Sequence, residues 1–191
     1  MLVGHSSGGG LSQFVLSSGD ATVTGLALLA AIPGSGSREI NSNPCMAMDL
    51  WFIPRMFFYL GHPMSPLDFT ALVKQALFCT EYPLQKAREI ETRMPKYESF
   101  LWRLGYTFRF ATYQNVLQLI VGGTSRRLVV IAGEKDRLVT TFIAKKLASD
   151  YGDAEKHLVA EKKLDIGRDE ASSVQYLEVK GAGHHFQNDL Q

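Results

Sequence analysis

Apolar and polar positions fall into two textures along the chain. A short apolar lead stops at the glycine-rich segment Gly4-His5-Ser6-Ser7-Gly8-Gly9-Gly10. Leu11, Phe14, Val15 and Ser18 then recur at helical spacing up to Gly19, which predicts a helix with those residues on one face. Val23 to Ile32 is a near-continuous apolar run closed by Pro33-Gly34, the texture of a fully buried strand in a parallel sheet. Strand, glycine turn, helix and buried strand make a βαβ unit.

From Ser35 to about Ser125 the texture changes to frequent Met, Phe, Tyr and Trp interrupted by Pro44, Pro54, Pro63, Pro66, Pro83 and Pro95. Short helices separated by prolines are expected there. The best marked starts at Ser65-Pro66-Leu67-Asp68, a capping-box arrangement with proline at the first helical position, and runs toward Phe78. Two more run from Pro83 toward Arg93 and from Pro95 toward Leu104, with Gly105 as C-cap. Buried-strand texture returns at Arg127 to Ala132 and ends in the loop Gly133-Glu134-Lys135-Asp136. Thr140 or Thr141 caps a helix carrying Phe142, Ile143, Leu147 and Tyr151. After Gly152 the chain is mostly polar up to Ser173 and reads as a solvated loop or loose helix. A last strand, Val174 to Val179, leads into Gly181-Ala182-Gly183-His184-His185. The pattern is that of an α/β protein with a parallel sheet, its core formed by residues 1–34 and 126–191 around a helical insertion at 35–125.

Composition narrows the classes of function. The 191 residues are 46% hydrophobic, and 20 Lys and Arg stand against 19 Asp and Glu, so no basic field exists to hold a nucleic-acid backbone. The most apolar stretches, Gly25 to Ile32 and Leu50 to Leu60, fall short of the roughly 18 residues that span a bilayer, so no membrane span is read. No secretory leader pattern is visible, which makes a cytoplasmic location the expectation. Cys45 and Cys79 form no CxxC pattern and read as buried thiols. No metal or organic cofactor is implied.

Candidate chemistry begins at Gly4-His5-Ser6-Ser7-Gly8, which fits G-x-S-x-G, a nucleophile elbow in which a serine rides a strained strand-to-helix turn. Such a turn lifts the Ser6 hydroxyl into the open and aims the Ser7 N–H, at a helix N-terminus, toward the same spot as an oxyanion donor. Asp136 and His184 lie in loops leaving later strands, in the chain order Ser, Asp, His, and parallel strands bring such loops to one sheet edge. His184 would take the proton from Ser6, and Asp136 would orient the imidazole. Glu134 and His185 are near neighbours that could take the acid and base roles, although the G-x-x-D and G-x-G-H registers select Asp136 and His184. His5 reads as a packing or loop-bonding residue, and His62 and His157 as surface or insertion residues. A phosphate-binding reading of the glycine loop lacks both GK[ST] and a third glycine, since Gln13 occupies that position.

Together these residues resemble the α/β-hydrolase superfamily. Leu2-Val3-Gly4-His5-Ser6-Ser7-Gly8-Gly9 is similar to the elbow of its lipase, esterase and haloperoxidase-like branches. Val130 to Val139 is similar to the acid loop, and Gly181-Ala182-Gly183-His184 to the histidine loop. The resemblance implies a partial α/β-hydrolase fold with a helical cap at 35–125. It also implies a serine hydrolase that cleaves an ester, thioester or related acyl bond of a hydrophobic small molecule. Trp51, Phe52, Met56 and Phe57, within the apolar concentration of that insertion, are candidates to line its pocket or to form the insertion's own core. The resemblance starts at the elbow strand, without the upstream strands and the second oxyanion donor. It therefore predicts an exposed apolar sheet edge open to a second copy or another partner. The alternative function is a non-catalytic or truncated relative that binds a hydrophobic ligand or a protein.

Overall fold

The computed structural model describes residues 1–41, 54, 58, 70–94, 105–121, 127–165 and 172–189. Four strands, Leu2–His5 (β1), Leu26–Leu29 (β2), Leu128–Gly133 (β3) and Val174–Val179 (β4), form one parallel sheet in the order β1-β2-β3-β4. His5, Leu29, Ile131 and Leu177 share one register line, and β3 and β4 run two residues past it, to Gly133 and Val179, so that all four carboxyl ends lie at one edge. The loops that follow β1, β3 and β4 therefore open at the same edge.

Helices Ser7–Ser18 (α1), Tyr113–Gln118 and Thr141–Ala160 flank this sheet.

 In chain order the remaining helices are Arg38–Asn41 (α2), Thr70–Leu77 (α3), Leu84–Arg93 (α4), Tyr113–Gln118 (α5), Thr141–Ala160 (α6) and Phe186–Asp189 (α7). The main core lies between one sheet face and α1, α5 and α6. Leu28, Leu128 and Val130 of the sheet meet Leu16, Val116, Leu117, Leu147, Tyr151 and Leu158 of the helices there. Alternate strand positions point the other way: Leu29, Ile131 and Val179 pack on Ala30, Ala182 and Phe186. Helices α3 and α4 form a separate cluster through Val73, Leu77, Phe78, Tyr82 and Ala87.

Several expectations change on contact with this arrangement. The helix after the glycine turn is present, but its inward face carries Gly9, Gly10, Ser12, Gln13 and Leu16, while Leu11 and Phe14 stay 53% and 46% exposed. Close approach decides this rather than apolarity. A Cβ at Gly9 would lie 2.4 Å from that of Ala31, and one at Gly4 only 2.6 Å from the Gly9 Cα. Gln13 is fully buried because every polar atom of its amide is used. Its Nε2 donates to the carbonyls of Gly9 (3.0 Å) and Ile32 (2.8 Å), and its Oε1 accepts from Gly34 N–H (3.0 Å) and Tyr151 O–H (3.2 Å).

The second strand is shorter than its apolar run, since Ala30 turns into the left-handed region at φ 44° and Val23 pairs only with Ile120. Helix α6 runs on through Gly152 to Ala160, where a solvated loop or loose helix was expected. One mid-helix glycine costs about 1 kcal/mol. Burial of Ala154 and Leu158 outweighs it, and buried Glu155 finds its partners in Ser172 and Ser173, far along the chain. From the stretch 35–125, Tyr113, Val116, Leu117 and Ile120 contribute to the main core. The predicted helix start at Ser65-Pro66, the helix from Pro95 to Leu104, Cys45 and His62 lie outside the described residues.

Candidate active site

The loops at the carboxyl ends of β1, β3 and β4 bring Ser6, Asp136 and His184 together. Ser6 connects β1 directly to α1 with φ 53° and ψ −121°, a conformation that favours glycine, held because its own N–H bonds to Leu29 and its carbonyl accepts from Gly9, Gly10 and Ile32. His184 Nε2 stands 2.9 Å from Ser6 Oγ, and His184 Nδ1 stands 2.8 Å from Asp136 Oδ2. The carboxylate accepts the Nδ1 hydrogen, which leaves Nε2 of the neutral ring free to accept the serine hydroxyl. The other Asp136 oxygen accepts the N–H groups of Leu138 (2.8 Å) and Val139 (2.9 Å). Asp136 is 5% exposed and His184 2%, whereas Ser6 remains partly open to solvent.

The neighbouring acid and base alternatives lie elsewhere. Glu134 Oε2 accepts the Gly181 N–H at 2.7 Å, so this side chain ties the β3 loop to the β4 loop. Two further bonds, Glu134 N–H to Val179 and Lys135 N–H to Ala182, reinforce that tie. Gly133 is required beneath it, since a Cβ there would come within 2.2 Å of the Gly183 carbonyl oxygen. His185 donates its N–H to the Leu77 carbonyl (2.8 Å), and its ring packs against His5 and Phe78. Burial, with His5 and His184 close by, pushes the His185 imidazole down to about 3 and keeps it neutral.

His5 Nε2 donates to the His184 carbonyl at 3.0 Å, as a loop-bonding residue would, and its ring lies against those of His184, His185 and Phe186. Burial lowers its pKa, partly opposed by that same hydrogen bond. Ser7 opens α1, and among the described residues no acceptor takes its N–H. His157 is exposed on α6. Trp51, Phe52, Met56 and Phe57 lie outside the described residues.

Asp189 supports the site with no signal in the sequence. Its carboxylate accepts the N–H of Gly183 and, at 3.1 and 3.2 Å, that of Cys79. Nothing in an Asn-Asp pair near the end of a sequence signals such a contact. Among the described residues no three His, Cys, Asp or Glu side chains form a group that could hold a metal ion, and no helix is long and apolar enough to cross a membrane.

No protein-family model and no curated protein matches the sequence. Solved structures do match. A candidate non-heme bromoperoxidase, BpoC, from Mycobacterium tuberculosis H37Rv superposes with a TM-score of 0.58 at 15% identity, over 97% of this chain and 60% of that one. A thermophilic esterase from Thermogutta terrifontis gives 0.54 at 17% identity, over 96% and 57%. BphD, a 2-hydroxy-6-oxo-6-phenylhexa-2,4-dienoate hydrolase from Rhodococcus sp. strain RHA1, gives 0.53 at 17% identity, over 98% and 58%. The chain thus spans 57 to 60% of the length of these structures.

Proposed function

We propose that this chain, whose four parallel strands and flanking helices have the α/β-hydrolase fold in part, is a serine hydrolase that cleaves an ester, thioester or related acyl bond of a hydrophobic small molecule. The observation that carries this reading is the continuous bond path from Ser6 Oγ through His184 to Asp136, at 2.9 and 2.8 Å. The hydrolase and the esterase among the similar structures support the general class of reaction.

In this reaction Ser6 Oγ attacks the acyl carbon while His184 Nε2 takes the hydroxyl proton. Asp136 stabilises the resulting imidazolium. The Ser7 N–H, outside the hydrogen-bond ladder of α1, faces the developing oxyanion. Collapse of the tetrahedral adduct breaks the bond to the leaving oxygen or sulfur, which receives the proton from His184 and leaves an acyl-Ser6 ester. Water then attacks that ester with His184 again as base, releasing the carboxylic acid and restoring the serine. The hydrophobic preference rests on the apolar residues of the insertion, including Trp51, Phe52, Met56 and Phe57.

The test is hydrolysis of p-nitrophenyl esters of increasing acyl length by the purified chain. Turnover is expected to vanish in Ser6→Ala and to fall on the order of 10³ to 10⁴-fold in Asp136→Asn, which holds the imidazole in the wrong tautomer. A folded chain that hydrolyses no member of the series, or an unimpaired Ser6→Ala, contradicts the reading.

A further inference from the structure

Three successive points on the backbone around His184 are each held by a residue outside the loop itself, two of them from far along the chain. Asp189 accepts the Gly183 N–H, His5 Nε2 donates to the His184 carbonyl at 3.0 Å, and the Leu77 carbonyl accepts the His185 N–H at 2.8 Å. Two of the three holds are side chains. They act where the sheet no longer helps, because β4 ends at Val179.

We propose that His5 and Asp189 are positioning residues that clamp the backbone at His184, one at its carbonyl and the other at the preceding N–H of Gly183, so that its imidazole reaches Ser6 and Asp136 at once. The kinetic consequence rests on the hydrolase reading above. An imidazole is rigid, and its two nitrogens must meet partners 2.9 and 2.8 Å away on opposite sides. Any rotation or shift of the backbone that shortens one bond lengthens the other. His5 is suited to prevent this because it lies on β1 immediately before Ser6, so one strand end carries the nucleophile and holds the base. Its Nε2 must bear the hydrogen, since a carbonyl only accepts. Asp189 acts on the residue before His184, the N–H of Gly183, and both its carboxylate oxygens also accept the Cys79 N–H and so join the loop to the end of α3. Gly183 leaves no slack at that contact: a Cβ would lie 2.7 Å from the Phe78 carbonyl carbon.

The test uses His5→Ala, His5→Asn, His5→Gln and Asp189→Ala in the full chain. It reads kcat and KM on a p-nitrophenyl ester, and the downfield proton NMR resonance of the His184 Nδ1–H held by Asp136. A glutamine amide reaches the place of Nε2, whereas an asparagine amide reaches only that of Nδ1. Thus His5→Ala, His5→Asn and Asp189→Ala are expected to lose about tenfold to a hundredfold in kcat at nearly constant KM, with the resonance broadened or lost. His5→Gln is expected to recover both. The proposal is overturned if His5→Ala and Asp189→Ala keep the parent kcat and resonance, or if His5→Gln falls as far as His5→Ala. Should the parent chain turn over no ester, the hydrolase reading fails on its own and the resonance decides the clamp. Its loss in His5→Ala and Asp189→Ala supports the clamp, and its persistence in them, or absence from the parent, overturns it.

Discussion

Ser6 occupies backbone space that a side chain normally avoids, and the chain holds it there with four backbone hydrogen bonds. The strain has a measurable size when the hydroxyl is taken out of the comparison. Ser6→Ala and Ser6→Gly both lack the hydroxyl, but only glycine relaxes at φ 53°. Ser6→Gly is expected to be more stable than Ser6→Ala by about 1 kcal/mol in denaturant unfolding. Equal stabilities would mean that the turn is unstrained. Ser6, Asp136 and His184 were legible in the sequence because glycines mark the tight places around them. Gly4 admits α1, and Gly133 lies under the β4 loop. The supporting contacts of Glu134, His185 and Asp189 were not legible. Each meets a partner brought near only by the sheet or by α3, and a carboxylate bound to a distant backbone N–H leaves no pattern in sequence.

At the scale of elements, the strands were legible where the apolar run is unbroken, as in Leu128 to Ala132, while helices misled where polar groups are paired inside. Glu155 shows why. It is 2% exposed and lies within a stretch that reads as solvated, yet it accepts from Ser172 Oγ (2.6 Å), Ser173 N–H (3.0 Å) and Ser173 Oγ. Ser173 in turn offers its carbonyl to Leu128 N–H, at the point where β4 joins β3. Glu155 therefore fixes both the second half of α6 and the start of β4. Glu155→Ala leaves buried donors without acceptors and is expected to cost about 2 to 4 kcal/mol in chemical denaturation. Asp153→Ala, which breaks the exposed pair with Lys156, is expected to cost less than about 0.5 kcal/mol. Comparable losses in the two variants would contradict the anchoring role of Glu155.

Across the whole molecule, the sheet divides the chain's work. One face carries the dense core that fixes strand register, and the register sets the three site loops at one edge. The other face carries the smaller cluster around Ala30, Ala182 and Phe186, and leaves Val3 and Leu177 half exposed on the edge strands. Convergence at one edge followed from the order of strands and loops in the sequence, because parallel strands leave no other place for the loops to meet. The part α5 plays in the core did not follow, since the aromatic-rich stretch from 35 to 125 carries no mark where its packing passes from one cluster to another. The central claim is that this architecture makes Ser6 a nucleophile. The most direct measurement is exposure of the folded chain to a fluorophosphonate probe, with the adduct located by peptide mass. One adduct is expected, on Ser6, absent from Ser6→Ala and formed far more slowly in His184→Ala. A folded chain that takes no label, or takes it at another residue, contradicts that claim.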